Sequence, residues 1–142
     1  MAMIIQLQAA DLALVLDLKL QQLAESARVR PPGDWHARSL TRYQQLYRKG
    51  QCVHFACYSG QKAIALAGVL FIDEAAFLSA RATRYALIVD EYVDPSFLGH
   101  GLEGRLRDAL LQKIAEQGAV LRTTLPPNAA RLSACAAGNL RL

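Results

Sequence analysis

Val93-Asp94-Pro95-Ser96-Phe97-Leu98-Gly99-His100-Gly101-Leu102-Glu103-Gly104 leads from a hydrophobic strand into an amphipathic helix. Upstream, Tyr85-Ala86-Leu87-Ile88-Val89-Asp90-Glu91-Tyr92-Val93 is rich in β-branched and aromatic residues and is broken at Pro95, which cannot donate to a ladder. Downstream, Leu102, Leu106, Leu110 and Ile114 recur every four residues, with Arg105, Arg107, Asp108 and Lys113 between them, until Gly118 supplies a helix-ending glycine. Glycines 99, 101 and 104 therefore fall where a loop meets a helix N-terminus. Unpaired backbone N–H groups and the positive end of the helix dipole make that junction a site for an anion, with phosphate the obvious guest.

Read literally, Gly99 to Gly104 spells G-x-G-x-x-G, the fingerprint of dinucleotide-binding turns. Such a turn places its first glycine directly at the strand end, whereas here Asp94-Pro95-Ser96-Phe97-Leu98 intervene. The next strand, Ala119 to Leu125, runs into Pro126 and Pro127 rather than the acidic residue that would hold a ribose.

The rest of the chain sets this junction in an α/β context. Met3 to Leu7 reads as a first strand, and Asp11 as the N-cap of a helix whose Leu12, Val15, Leu16, Leu20 and Leu23 share one face. Pro31-Pro32-Gly33 breaks the chain, Asp34 caps again, and Leu40, Tyr43 and Tyr47 mark a second helix ending at Gly50. Cys52–Tyr58 and Ala63–Ile72 form a hairpin across Ser59-Gly60-Gln61-Lys62. Asp73 to Thr83 is alanine-rich and reads equally as a loop or a helical turn. The order is β-α-α-β-β-β-α-β-α, a mixed and largely antiparallel sheet flanked by helices.

At 142 residues the whole chain, 1–142, is one domain, with 53% hydrophobic and 20% charged residues and neither repeat nor low-complexity tract. Leucine-rich Leu12–Leu20 is interrupted by Asp17 and Lys19 and lacks a basic leader or cleavage site, so no membrane partner is expected and the protein is placed in the cytoplasm. Cys52, Cys57 and Cys135 make an odd count without C-x-x-C spacing, and His36, His54 and His100 are scattered, so neither a disulfide framework nor a metal site is expected. The net charge of +4 comes from dispersed arginines without a basic, aromatic-interleaved run, which argues against nucleic acid but would favour an anionic cofactor.

The glycine stretch resembles motif A of the GCN5-related N-acetyltransferases, where a strand ending in V-x-P is followed by [RQ]-x-x-G-x-[GA] and a helix. Aligned on Val93-Asp94-Pro95, Leu98 takes the Arg/Gln place, Gly101 the central glycine and Glu103 the final Gly/Ala place. The resemblance covers nearly the whole chain: the element order is similar to the family's, and Pro127-Asn128-Ala129-Ala130 resembles the N-x-x-A start of its last helix. It implies transfer of an acetyl group from acetyl-CoA to an amine of a small molecule or peptide, by direct attack on the thioester.

By this resemblance, backbone amides near Tyr92 and Val93 pair with the pantetheine arm, and Leu98, Gly99, His100, Gly101, Leu102, Glu103 and Gly104 hold the pyrophosphate, with Asn128 a further cofactor contact. Glu103 is expected to weaken that site by repulsion. Glu91 is the candidate base, although a solvated strand carboxylate reads equally well. Cys135 stands where the family has a tyrosine that protonates the departing thiolate, and it reads alternatively as a small buried hydrophobe. Arg28–Arg38, with Trp35 inside it, is the candidate lining of the acceptor pocket. His54 reads as a hydrogen-bonded or exposed strand residue. Since the family adds a last strand beside the one at Ala119–Leu125, a homodimer that completes the sheet is expected. The rival reading is a non-catalytic member of the same fold that binds coenzyme A weakly or pairs with a protein partner.

Overall fold

The structure, a computed structural model, describes residues 2–26, 31–74 and 83–122. In chain order it contains β1 (Ala2–Gln6), a 3₁₀ turn (Ala9–Asp11), α1 (Leu12–Ser26), α2 (Trp35–Arg48), β2 (Cys52–Ser59), β3 (Lys62–Glu74), β4 (Thr83–Val93), a second 3₁₀ turn (Pro95–Phe97), α3 (Leu102–Glu116) and β5 (Val120–Arg122). The strands lie side by side in sequence order, antiparallel from β1 to β4, with β5 parallel to β4. This is the expected order as far as β5. The closing helix expected at Asn128 lies outside the described residues, as does most of the ambiguous segment between β3 and β4.

Helices cover both faces of the sheet. On one face α1 and α2 bury Leu12, Val15, Leu16, Trp35, Tyr43 and Leu46 against Cys52, Ala56, Leu66, Leu70 and Val89. On the other, the four-residue stripe Leu102, Leu106, Leu110 and Ile114 of α3 packs against Ile64, Ala67, Val69, Phe71 and Ala86. Each of those four side chains contributes about 2 kcal/mol by leaving water, which fixes α3 and hence the loop at its N-terminus.

Several local expectations are corrected. Asp11 does not cap α1 but closes the 3₁₀ turn before it, its Oδ2 accepting the Gln8 N–H at 2.8 Å. Asp34 does stand at the N-cap position of α2, yet its carboxylate pairs with Arg38 at 3.0 Å instead of bonding the helix amides. Trp35 is only 2% exposed and belongs to the core, so it does not line an open pocket, and Arg28–Arg30 lie outside the described residues.

The sequence pattern does not announce the break in β4. Its register against β3 runs Val89 opposite Gly68 and Tyr92 opposite Leu66, so Asp90 and Glu91 together oppose Ala67. That extra residue is a β-bulge, and Asp90 takes it up with φ 58°, the one positive φ among the described non-glycine residues. The bulge flips the alternation. Before it, Leu87 and Val89 face α1 and α2 while Ala86 and Ile88 face α3; after it, Tyr92 faces α1 and α2 and Val93 faces α3. Pairing with β5 covers Tyr85 to Leu87 only, so among the described residues β4 from Ile88 to Val93 has an open edge on that side.

Candidate functional site

The loop after β4 is built in two steps. Asp94 caps the 3₁₀ turn by accepting the Ser96 N–H at 2.9 Å; that bond, with Lys62 at 3.6 Å, holds its carboxyl below the usual range. The chain then passes through Gly99 (φ 82°) and Gly101 (φ 75°) before α3 begins at Leu102. Both glycines sit in the left-handed region, where a side chain would be strained. Gly101 is the N-cap of α3 and brings no side-chain bond to it, which leaves the first-turn amides to whatever ligand arrives. A Cβ built on Gly99, Gly101 or Gly104 would meet no atom within 4 Å.

A cleft of about 260 Å³ opens here, lined by Val93, Phe97, Leu98, Gly99, Gly101, Leu102 and Glu103. Six of the residues singled out from the sequence thus share one surface: Val93, Leu98, Gly99, Gly101, Leu102 and Glu103. Gly104 is exposed in the first turn of α3. His100 turns the other way. Its ring lies 5.9 Å from that of Phe97, and it lines a neighbouring cleft with Ser59 and Arg105. Tyr92 also points elsewhere, because the bulge sends its side chain to the α1 face, where its hydroxyl donates to Glu25 at 2.9 Å and burial beside that carboxylate raises its pKa. Asn128 and Cys135 lie outside the described residues.

Glu91, the second residue of the bulge, lies on the opposite side of the sheet from Asp90. Its half-exposed carboxylate meets the Arg107 guanidinium of α3 at 3.2 Å, and its carbonyl accepts from Gln22 of α1 at 3.2 Å. The pair is solvated and contributes little to stability.

Sequence reading missed a buried polar cluster under the bulge. Lys19 (1% exposed), His54 (0%) and Asp90 meet inside the core. Asp90 Oδ1 lies 2.6 Å from Lys19 Nζ, while its Oδ2 accepts from the Tyr43 hydroxyl at 2.6 Å and from His54 Nε2 at 2.8 Å. His54 Nδ1 is 2.7 Å from the Tyr47 hydroxyl, so the neutral tautomer with hydrogen on Nε2 satisfies both contacts. Burial alone would push the Asp90 carboxyl up, but Lys19 and His54 outweigh it and hold the group well below the usual carboxylate range. Burial, reinforced by the Asp90 charge, drives the Tyr43 phenol and the Cys52 thiol up. A signal was present in the sequence. Lys19 stands at i+3 from Leu16, i+4 from Val15 and i+7 from Leu12, a core position, and the apolar strands around His54 and Asp90 hold its partners.

Among the described residues no group of three or more His, Cys, Asp or Glu side chains could hold a metal, and no helix is long and apolar enough to cross a membrane.

An antiparallel sheet closed by one parallel strand, helices on both faces and a glycine loop opening α3 define an acetyltransferase-type α/β fold. The chain belongs to the acetyltransferase (GNAT) family, whose sequence profile matches residues 20–136. No curated protein matches at the sequence level. Among solved structures, the chain is similar to a predicted acetyltransferase from Clostridium acetobutylicum solved with acetyl-CoA (TM-score 0.76, 17% identity, 94% of this chain and 86% of that one). It is also similar to a GCN5-related N-acetyltransferase from Ralstonia eutropha (0.66, 20%, 94% and 90%). A third likeness is to glucosamine-6-phosphate N-acetyltransferase from Arabidopsis thaliana (0.63, 16%, 95% and 90%). At these identities the likeness is one of fold.

Proposed function

We propose that the protein transfers the acetyl group of acetyl-CoA to an amine of a small molecule or peptide. The observation that carries this reading is the bare N-terminus of α3 behind Gly99 and Gly101, facing a cleft with room for a phosphate. The amides of that first turn and the helix dipole suit the cofactor's pyrophosphate. Among the described residues the edge of β4 from Ile88 to Val93 is open, and it suits the pantetheine arm, which would add to the sheet as an extended strand.

In the reaction the neutral amine attacks the thioester carbonyl, a C–N bond forms, the C–S bond breaks and coenzyme A leaves as a thiolate that takes up a proton. The amine's own proton passes to a base. Glu91, on the strand that would carry the thioester, is the candidate, and its link to Arg107 keeps the carboxylate in place. Cys135 is the candidate donor to the thiolate.

One observation favours a non-catalytic member of the fold: Glu103 lines the same cleft, and a carboxylate there would repel a diphosphate. Calorimetric titration with acetyl-CoA decides between binding and its absence. Gly101→Val, which forces a branched side chain into φ 75° and into the open space above the loop, is expected to abolish the heat of binding. Unchanged affinity in the folded variant refutes the assignment of the loop.

A further inference from the structure

The buried cluster is an odd way to stabilise a sheet. Replacing a buried ion pair by apolar residues of similar size is often neutral or favourable, so stability alone gives little reason to sink Lys19, His54 and Asp90 into the core. Asp90 is also the described non-glycine residue held at positive φ, a conformation that persists only where the surroundings over-determine it. Three donors, Lys19 Nζ, Tyr43 Oη and His54 Nε2, converge on its carboxylate from α1, α2 and β2. Gln22, one turn beyond Lys19 on α1, donates to the carbonyl of the second bulge residue, Glu91. Both residues of the bulge are therefore gripped by α1, beyond the last β4 residue that pairs with β5 among the described residues.

We propose that Asp90 is a positioning residue for the acyl-transfer site: anchored by Lys19, Tyr43 and His54, it holds β4 in the bulge that shapes the open edge offered to the pantetheine arm. The inference rests on the acetyl-CoA reading above. The cluster fixes the geometry of one half of the cofactor site and leaves the other alone. The glycine loop has its own anchors, the Asp94 cap and the α3 stripe, and α3 packs on the opposite face of the sheet. Loss of the Asp90 carboxylate should thus weaken contacts to the acetyl-pantetheine arm while the phosphate contacts persist, a split that general destabilisation would not produce.

The test compares two ligands by calorimetry, acetyl-CoA and 3′-phospho-ADP, the latter carrying the diphosphate without the arm. Asp90→Gly keeps the bulge's φ accessible but removes the anchor. It is expected to weaken acetyl-CoA by about tenfold and to change 3′-phospho-ADP by less than about twofold. Asp90→Asn tolerates the left-handed conformation and can still accept from Tyr43 and His54 through its amide oxygen, losing only the Lys19 contact, so it should restore part of the acetyl-CoA affinity. Should Asp90→Gly not fold, Tyr43→Phe removes one donor at nearly constant volume, with an expected loss of about threefold confined to acetyl-CoA. Folded variants that bind acetyl-CoA as the parent does, or that weaken both ligands equally, overturn the inference while the functional reading stands. A parent protein that binds neither ligand overturns the functional reading and the inference with it.

Discussion

Gly68→Ala adds one methyl group at a place where the fold has no room for it. Gly68 pairs with His54 across β2 and β3, and a Cβ built on it would lie 2.5 Å from His54 Cδ2 and 2.7 Å from Nε2. The imidazole has no easy way to withdraw, since it is 0% exposed and held on opposite edges by Asp90 at 2.8 Å and Tyr47 at 2.7 Å. Overpacking of this kind costs about 1–3 kcal/mol, and a ring that swings aside instead gives up a hydrogen bond to a buried carboxylate worth about 1.5–3 kcal/mol. Against this, alanine recovers roughly 0.5–1 kcal/mol of backbone entropy relative to glycine. The expected net loss is about 1–2 kcal/mol. Urea denaturation followed by fluorescence of the single tryptophan, the buried Trp35, reads it directly. The same substitution in a His54→Ala background should cost almost nothing, because the ring it strikes is gone. A Gly68→Ala variant as stable as the parent, or an equal loss in both backgrounds, refutes the steric argument.

Three further outcomes follow from the site and the sheet. Glu103→Gly is expected to tighten acetyl-CoA by on the order of 1 kcal/mol at low salt, with the gain shrinking as salt is added; equal or weaker binding would mean that the carboxylate points away from the phosphates. Because the folded state holds the Asp90 carboxyl below its ordinary pKa of about 4, its contribution is complete above that value and is lost as pH falls below it. The stability gap between the parent and Asp90→Asn should therefore be wider at pH 6 than at pH 3, and a gap independent of pH contradicts the ionised cluster. Val120 and Leu121 of β5 are exposed at the edge of the sheet formed by the described residues, so a two-fold pairing of copies there is expected to give a dimeric mass by light scattering at micromolar concentration; a strictly monomeric mass means that this edge is covered from within the chain.

By itself the sequence determined the elements whose signals are local. The four-residue stripe from Leu102 to Ile114 marked α3, the β-branched run before Pro95 marked β4, and the glycines between them marked the loop, because helix period, strand composition and turn chemistry each act over a few neighbouring residues. The family resemblance rests on that same short stretch and on the order of elements. Only the tertiary structure decided which way the side chains of β4 point, since a bulge adds one residue against the partner strand and leaves no trace in the composition of its own strand. It turned Tyr92 toward Glu25 and set Glu91 against Arg107. It also brought Lys19, Tyr43, His54 and Asp90 together from two helices and two strands. Such a cluster is stable only once packing has removed the water that would otherwise solvate each member separately.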